Sequence, residues 1–489
     1  MKKLLTVLLA LLLVMTSVSQ ALACTGFAAG KKVTEDGSLI FGRTEDIGGA
    51  YNKVFNVNPA TTGEGIVTLT DPYNGYTIDL PAESWKWTMV NDVPEHDDGL
   101  YAACVTNEYG VSLTATVSTS YNEAAEKADP LLENGLREAY LPNVVIPYVK
   151  TAKEGVLWLG EIVEKYGAAE CNTVIFGDKD EVWVMEIVSG HQWAAAKVPD
   201  DKYAVIPNCM MLGWVDLDDP ENYLGSKDLF ELPKKEGFLK EHNGKPHVAL
   251  TWGSEMSAGN RVRAWGGQHF LSPSQQVPHD SPVFELFMTP DKAISLTDAM
   301  KLMAYRYEGT EYDVNQNPTN RAIGTERTAE AHLFQYREAL PALQWLCMGN
   351  PEHTVFLPSY LALNQTPDAF QVEGEEHNPV SAYWIFRTLS GLAEIDRVQY
   401  GQGVKDYWAA YQKLLIEALP DMDKALLAAE GAQAETANAL FAALSEDALA
   451  DAKAITDALM FYHLKRGALS NTPKAPFAVS LTPEIAKLP

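Results

Sequence analysis

The chemistry of this chain centres on Cys24, which follows the triplet Ala21-Leu22-Ala23. The basic start Lys2-Lys3, the apolar run over 4–14 and a small-residue Ala-x-Ala triplet together form the pattern of a signal peptide with its cleavage site. We therefore expect residues 1–23 to be a signal peptide, removed by signal peptidase. The mature protein would then be exported (secreted, periplasmic or at the cell surface), with no stable membrane span and with Cys24 as its first residue.

A cysteine at the start of a chain carries a thiol and a free α-amine on one residue. The amine has an unperturbed pKa near 7.7–8.0 and the thiol one near 8.5, so both titrate close to neutral pH. The amine of Cys24 could accept the thiol proton and later return it to a leaving group. We expect the uncleaved precursor to be inactive, because its Cys24 nitrogen is an amide and cannot act as a base.

Two charged residues that could support the thiol and the amine, Arg43 and Asp46, follow in the segment Gly42-Arg43-Thr44-Glu45-Asp46. Arg43 near the thiol would favour the thiolate, and Asp46 could hold the amine in place. Taken without the cysteine, the two could equally be a surface ion pair.

A lipoprotein site at Cys24 is a further alternative, although such sites usually carry Leu where this chain has Ala21. An acylated amine could not serve as a base, so the lipid and catalytic interpretations largely exclude each other.

The composition bounds the remaining possibilities. The chain has 489 residues, 46% apolar and 21% charged, with a formal net charge of -27. This is the composition of a globular protein, and the acidity argues against nucleic acid as a partner. Motifs for a serine-hydrolase elbow, a Walker loop or a zinc peptidase are absent, and we expect no metal or organic cofactor. Whether the chain forms a homo-oligomer is left open.

The five cysteines are odd in number, which favours a free thiol, and Cys24 is the candidate. The other four lie far apart in the sequence. We expect them to be buried and unpaired, with disulfides as the alternative: Cys104, Cys171, Cys209 and Cys347.

The first two strands are predicted at 25–29 and 39–41, with the turn signal Asp36-Gly37 between them. A tight turn there would pair Cys24 with Gly49. A wider loop through 31–38 would place Asp46 opposite Cys24 instead. The sequence does not choose between these registers.

Further along, strands at 101–106 and 111–117 precede a helix that opens at Thr151 and stops at Gly167. Strands at 172–176, 182–188, 193–198 and 203–207 follow, then a helix at 296–305. The Ala- and Leu-rich stretch 406–465 predicts two or three helices, broken at Pro420. Strands, helices and strands again form an α+β pattern. We divide the chain into a signal peptide (1–23), a catalytic domain (24–400) and a mainly helical C-terminal part (401–489) packed on it.

Several segments, in order along the chain, resemble the dipeptidase family of N-terminal-nucleophile (Ntn) cysteine hydrolases, distant relatives of penicillin V acylase and bile salt hydrolase. They are Cys24-Thr25-Gly26, Gly42-Arg43-Thr44-Glu45-Asp46, Asn107-Glu108-Tyr109-Gly110-Val111, Glu181-Val182-Trp183-Val184-Met185-Glu186, Arg306-Tyr307-Glu308-Gly309-Thr310 and Arg327-Thr328. The resemblance covers the chain from about Cys24 to its end.

The resemblance implies a four-layer αββα sandwich of two antiparallel sheets, with extra C-terminal helices. It implies hydrolysis of a dipeptide amide bond through an acyl-enzyme on Cys24, supported by Arg43 and Asp46. Asn208 would match the oxyanion-hole asparagine and Asn107 a second polar residue that binds substrate. A downstream substrate-binding arginine would be Arg261 or Arg263. The alternative substrate class is a linear amide: penicillin V, a bile salt or an N-acyl compound.

Overall fold

The computed structural model of the chain describes residues 24–49, 51–93, 101–467 and 475–485. The predicted signal peptide, residues 1–23, lies outside the described residues. Two large antiparallel sheets dominate the fold, and two short hairpins accompany them. The strands are β1 Thr25–Ala29, β2 Leu39–Glu45, β3 Lys53–Asn58, β4 Ile66–Thr70, β5 Thr77–Pro81, β6 Trp87–Asp92, β7 Ala102–Asn107, β8 Ser112–Ser118, β9 Asn172–Gly177, β10 Val182–Ile187, β11 Trp193–Lys197, β12 Tyr203–Ile206, β13 Tyr223–Gly225, β14 Glu241–His242, β15 Lys245–Pro246, β16 Glu330–Tyr336, β17 Leu343–Met348 and β18 Leu357–Tyr360.

The first sheet has the order β12-β1-β2-β16-β17-β18, and the second has the order β13-β11-β10-β9-β8-β7-β6-β3. The α-helices in the described part of the chain are Glu123–Ala128, Leu141–Val145, Ala152–Tyr166, Glu231–Glu236, Val248–Trp252, Ala258–Leu271, Leu296–Met303, Ala382–Glu394, Gln402–Ala428 and Gln433–Gly467.

The two sheets face each other, and close contacts at glycines show how tightly they stack. A Cβ on Gly26 of β1 would lie 3.2 Å from Ile175 of β9 in the other sheet. The helix Ala152–Tyr166 covers the outer face of the eight-stranded sheet, where Gly160 lies directly over Trp193. The helix Ala258–Leu271 covers the outer face of the six-stranded sheet, where Gly267 packs on Val205. The predicted αββα sandwich is therefore confirmed.

The register of the first hairpin differs from both predicted alternatives. Thr25 pairs with Thr44 and Gly26 with Arg43, so Cys24 lies opposite Glu45 rather than Gly49 or Asp46. The connection is a wide loop rather than a tight turn, because the Asp36 carboxylate accepts from the main chain and hydroxyl of Ser38 and ends the loop there. A shift of one residue exchanges the two faces of a strand, and it is Arg43 that shares the face of Cys24.

The prediction that Pro420 breaks the C-terminal helices is wrong, because Pro420 lies inside the helix Gln402–Ala428. Its ring is on the exposed side of that helix, while Leu415, Leu419 and Met422 are buried on the other side. Packing of this apolar face compensates for the missing main-chain donor. The division of the chain near residue 400 stays a prediction.

The four cysteines other than Cys24 are buried and form no disulfide bonds, as predicted. In the part of the chain that the structure describes, no helix has both the length and the apolarity needed to cross a bilayer.

Candidate active site

Cys24 immediately precedes β1, between β12 and β2 in the six-stranded sheet. Only 2% of the residue is exposed. Its Sγ accepts a hydrogen bond from Nη1 of Arg43 at 2.8 Å. Because the register sets Arg43 against Gly26, this contact follows from strand pairing and not from a flexible loop.

Arg43 is fully buried and reaches from one sheet to the other. Its Nη2 donates to the main-chain oxygen of Ala115 in β8 and lies 3.3 Å from Oε1 of Glu45. The guanidinium is thus held on three sides, by the thiol, a carbonyl and a carboxylate. A planar, permanently charged group suits such a fixed arrangement.

The proton affinity of the thiol reflects competing influences. Burial raises the pKa of Cys24 to about 11, Arg43 acts against this rise, and the carboxylates of Asp46 and Glu45 add to it. The thiol is therefore mainly protonated at neutral pH, so attack on a substrate requires a base that takes its proton.

Asp46 is 1% exposed, and three side chains hold its carboxylate. Its Oδ2 accepts from Nη2 of Arg321 at 2.5 Å and from Oγ1 of Thr44 at 3.2 Å, and its Oδ1 accepts from Oγ1 of Thr328. Sequence reasoning missed Arg321, and it quoted Thr328 only as part of a family segment. Both lie about 280 residues away from Asp46 in the sequence, so no local pattern connects them.

Asn208 follows β12, the strand that pairs with β1 on the side away from β2. Its Oδ1 accepts from Nη1 of Arg263 at 2.9 Å. Its Nδ2 is buried and has no hydrogen-bond partner among the described residues. A buried amide donor without a partner costs free energy, and a substrate oxygen placed there would satisfy it.

The structure distinguishes the two candidate arginines, which lie two residues apart in the helix Ala258–Leu271. Arg263 is 2% exposed, and its Nη1 donates to the main-chain oxygen of Cys24, to Oγ1 of Thr25 and to Asn208. Arg261 points elsewhere, donating to the main-chain oxygen of Ser281. Only Arg263 belongs to the group around Cys24.

Asn107 is not brought into this group. It ends β7, at the turn that joins β7 to β8, whereas Arg43 contacts β8 in the middle of that strand, at Ala115. Its Nδ2 donates to the main-chain oxygens of Ile146 and Val149, and its Oδ1 accepts two main-chain N–H groups of its own turn. Its side chain is therefore occupied in shaping the turn, and the expected contact with substrate has no geometric support.

A cavity of about 960 Å³ lies beside the group around Cys24. Asp46, Asn208 and Arg263 form part of its wall. Most of the side chains in the wall are polar or charged, and three are apolar: Val314, Pro318 and Ala322. Its ionic side chains are Arg263, Arg306, Arg321, Arg327, Asp46, Glu255 and Glu326. Among the described residues, no cluster of three or more His, Cys, Asp or Glu side chains has a metal-binding arrangement.

Comparison with known proteins agrees with the sequence resemblance. The profile described as peptidase family C69 matches residues 23–410. A probable dipeptidase B of Streptococcus pyogenes serotype M3 is 36% identical over 449 residues, which cover 86% of this chain and 90% of that protein. A probable dipeptidase of Latilactobacillus sakei is 32% identical over 428 residues, which cover 84% and 89%.

A solved structure, a mutant of the conjugated bile acid hydrolase from Clostridium perfringens, has a TM-score of 0.32 and 14% identity, covering 69% of this chain and 92% of that one. That score is too low to support an argument. The family assignment rests on the profile and the sequence relatives, and the predicted resemblance is confirmed: the chain belongs to peptidase family C69.

Proposed function

We propose that this peptide hydrolase is an exported cysteine dipeptidase, in which Cys24 is the nucleophile and its own α-amine is the general base. Membership of peptidase family C69 supports the peptide substrate. The observation that carries the proposal is the arginine-rich cavity whose wall includes Arg263, the residue that donates to the main-chain oxygen of Cys24. The thiol of the same Cys24 is held by Arg43.

The reaction begins with transfer of the thiol proton to the α-amine. With the thiol pKa raised to about 11 by burial, little thiolate exists before this transfer. Arg43, 2.8 Å from Sγ, stabilises the thiolate as it forms. The sulfur then attacks the substrate carbonyl, and the protonated amine donates its proton to the departing amino group. Water hydrolyses the resulting thioester, with the amine again acting as base.

The oxygen of the tetrahedral intermediate requires hydrogen-bond donors. The unpartnered Nδ2 of Asn208 is the candidate, since Arg263 holds the other end of the same amide. Removing one such donor typically costs about 3–4 kcal/mol in the transition state. Arg263 is then a positioning residue, because it fixes both Asn208 and the carbonyl of Cys24.

The character of the cavity favours a dipeptide over an acyl amide. A dipeptide is a small zwitterion, and both signs of charge are present on the wall, at Arg327 and Glu255 for example. A bile salt or the phenoxyacetyl group of penicillin V would need many apolar side chains in the wall, and this wall has three. The acylase alternative therefore has less support than the dipeptidase.

The proposal is tested by sequencing the N-terminus of the exported protein and measuring its intact mass. We expect the mature chain to begin at Cys24 with no added lipid. A lipid-bearing, acylated Cys24 would establish the lipoprotein alternative and exclude an amine base. A mature chain that begins at another residue would also rule out the mechanism.

The second experiment is the substitution Cys24→Ala, compared with Cys171→Ala, which removes another buried thiol that forms no disulfide bond. Both variants should fold, and only Cys24→Ala should lose hydrolysis, by a factor of about 10³ or more. The wild-type protein is assayed on a dipeptide panel, on penicillin V and on conjugated bile salts. Cleavage of the last two alone would replace the dipeptidase by the acylase.

A further inference from the structure

A row of buried ionic side chains with alternating charge runs away from Cys24 into the space between the two sheets. From the thiol outward it consists of Arg43, Glu45, Lys53 and Asp92. The Nζ of Lys53 forms ion pairs with both Glu45 and Asp92, and Oε1 of Glu45 lies 3.3 Å from Nη2 of Arg43. We name these four residues the ionic row.

The ionic row spans both sheets. Arg43 and Glu45 lie on β2 of the six-stranded sheet, whereas Lys53 and Asp92 are directly paired across β3 and β6 of the eight-stranded sheet. All four are at most 2% exposed. Removing a charged pair from water costs several kcal/mol per ion, so four such groups in one core are not explained by stability alone.

We propose that Lys53 is a positioning residue for Cys24, acting through Glu45 to hold the guanidinium of Arg43 against the thiol. The inference rests on the proposed role of Cys24 as nucleophile. The geometry carries it: Glu45 is the shared partner, with one carboxylate oxygen toward Arg43 and the other toward Lys53. Without Lys53, Glu45 would have Arg43 as its main cationic partner and would compete with the sulfur for it.

The charge balance points the same way. Although burial alone would lower the pKa of Lys53, the carboxylates of Asp92 and Glu45 raise it, so the amine stays protonated. The two cations and two carboxylates of the ionic row cancel. Loss of Lys53 leaves one uncompensated negative charge near Cys24, and a nearby negative charge disfavours the thiolate.

Other ionisable groups face the ionic row and belong to the same balance. Glu330 and His332 approach from β16, with Nδ1 of the imidazole 3.1 Å from the carboxylate. The ring of Tyr101 lies 5.9 Å from the Arg43 guanidinium and 5.8 Å from Nζ of Lys53. Cys104 on β7 and Tyr383 on the helix Ala382–Glu394 complete the surroundings. Tyr101 and Glu330 each interact with both Arg43 and Lys53, but among the ion pairs of the described residues it is Glu45 that both cations share.

The test measures the thiol itself and not only turnover. Alkylation of Cys24 by iodoacetamide is followed by mass spectrometry from pH 6 to 10 in wild type and in Lys53→Met. We expect the substitution to slow alkylation at pH 8 by about tenfold, which corresponds to one unit of thiol pKa. We expect kcat/KM at neutral pH to fall by a similar factor.

Two further variants separate positioning from a purely structural role. In Glu45→Gln/Lys53→Met the charges at both positions are removed, so alkylation should return toward the wild-type rate. Arg337→Met breaks another buried ion pair, in which Nη1 and Nη2 of the arginine each donate to a carboxylate oxygen of Asp423 at 2.7 Å. It should lower the melting temperature and leave the alkylation profile of Cys24 unchanged.

An alkylation profile for Lys53→Met that matches wild type overturns the inference, as does a double variant no faster than the single one. Failure of the proposed function is a separate result. If Cys24→Ala still hydrolyses dipeptides, Cys24 is not the nucleophile, whatever the alkylation profiles of the Lys53 variants.

Discussion

The two faces of the eight-stranded sheet contain very different cores. On the outer face, the helix Ala152–Tyr166 buries Val156, Leu159 and Ile162 against strand residues such as Trp183 and Met185. On the inner face, the same sheet presents Lys53, Asp92 and Glu186 to the interior. Apolar burial needs only shape and area, whereas each buried charge needs a partner placed to within a fraction of an ångström. The outer core serves stability, and the inner core combines apolar side chains such as Ile175 and Val184 with the candidate chemistry.

The largest effect on activity should come from a charged residue of the candidate site, on replacing Arg263 by Met. The variant loses the donor to Asn208 and to the Cys24 carbonyl, and we expect kcat/KM to fall by about 10³-fold, or ~4 kcal/mol. Arg261→Met is the matched control on the same helix, because Arg261 contacts Ser281 and not the site. The measurement is steady-state kinetics on a dipeptide. If kcat/KM falls equally in the two variants, Arg263 has no special role in the site.

On the apolar side, Leu159→Ala should affect stability and not catalysis. Leu159 is fully buried, and its truncation should lower the free energy of unfolding by about 3 kcal/mol. Leu157 lies on the same helix and is 40% exposed, so Leu157→Ala should change stability by less than about 0.5 kcal/mol. Denaturant titration measures both. A fall in kcat/KM of the folded Leu159 variant would show that the two cores are coupled.

The smallest effect concerns Glu186, a buried carboxylate on the inner face. Its Oε1 accepts from the main-chain N–H groups of Met211 and Leu212, and burial raises the pKa of its side chain to about 7. The native state therefore holds a proton that the unfolded state releases near pH 4.3, so this group makes the protein less stable as the pH rises from about 4.5 to 7.

Glu186→Gln removes this titration. When the pH is raised from 5 to 8, the free energy of unfolding should fall by about 2 kcal/mol less in the variant than in wild type. Glu164→Gln, a change of the same type at a carboxylate that binds the Trp193 indole on the outer face, serves as control. Identical pH slopes in wild type and Glu186→Gln would contradict the assignment.

The same contrast explains how much the sequence could predict. The helix Ala152–Tyr166 follows from apolar periodicity and from the caps Thr151 and Gly167, all local signals, and the structure has it within a residue of the predicted ends. Strand β1 was equally clear. Strand β16 was not predicted. Its sequence alternates between polar and apolar residues only over 330–333, and all seven of its residues are buried in the structure.

Within the site, Cys24 was found because it follows the predicted cleavage site, and Arg43 and Asp46 because they lie together in the segment 42–46. The hairpin register could not be found, since it depends on how Asp36 closes a loop, and no pattern in β1 or β2 fixes it. Lys53 and Arg321 were missed for another reason. Their importance arises from contacts between elements distant in the sequence, and a lone Lys or Arg in a sequence is usually a surface residue.

The placement of the proposed reacting groups on neighbouring strands would also separate the catalytic step from substrate recognition. Cys24, Arg43 and Asn208 lie on or beside β1, β2 and β12, whose spacing is set by main-chain hydrogen bonds. Part of the cavity wall comes from the loop 314–320, which belongs to neither sheet. Mutations in that loop can reshape the space for the substrate. The main-chain hydrogen bonds between the strands meanwhile keep the Cys24 sulfur, the Arg43 guanidinium and the Asn208 amide in place. Such a scaffold can acquire new amide substrates by small steps, because changing what it cleaves does not require rebuilding how it cleaves.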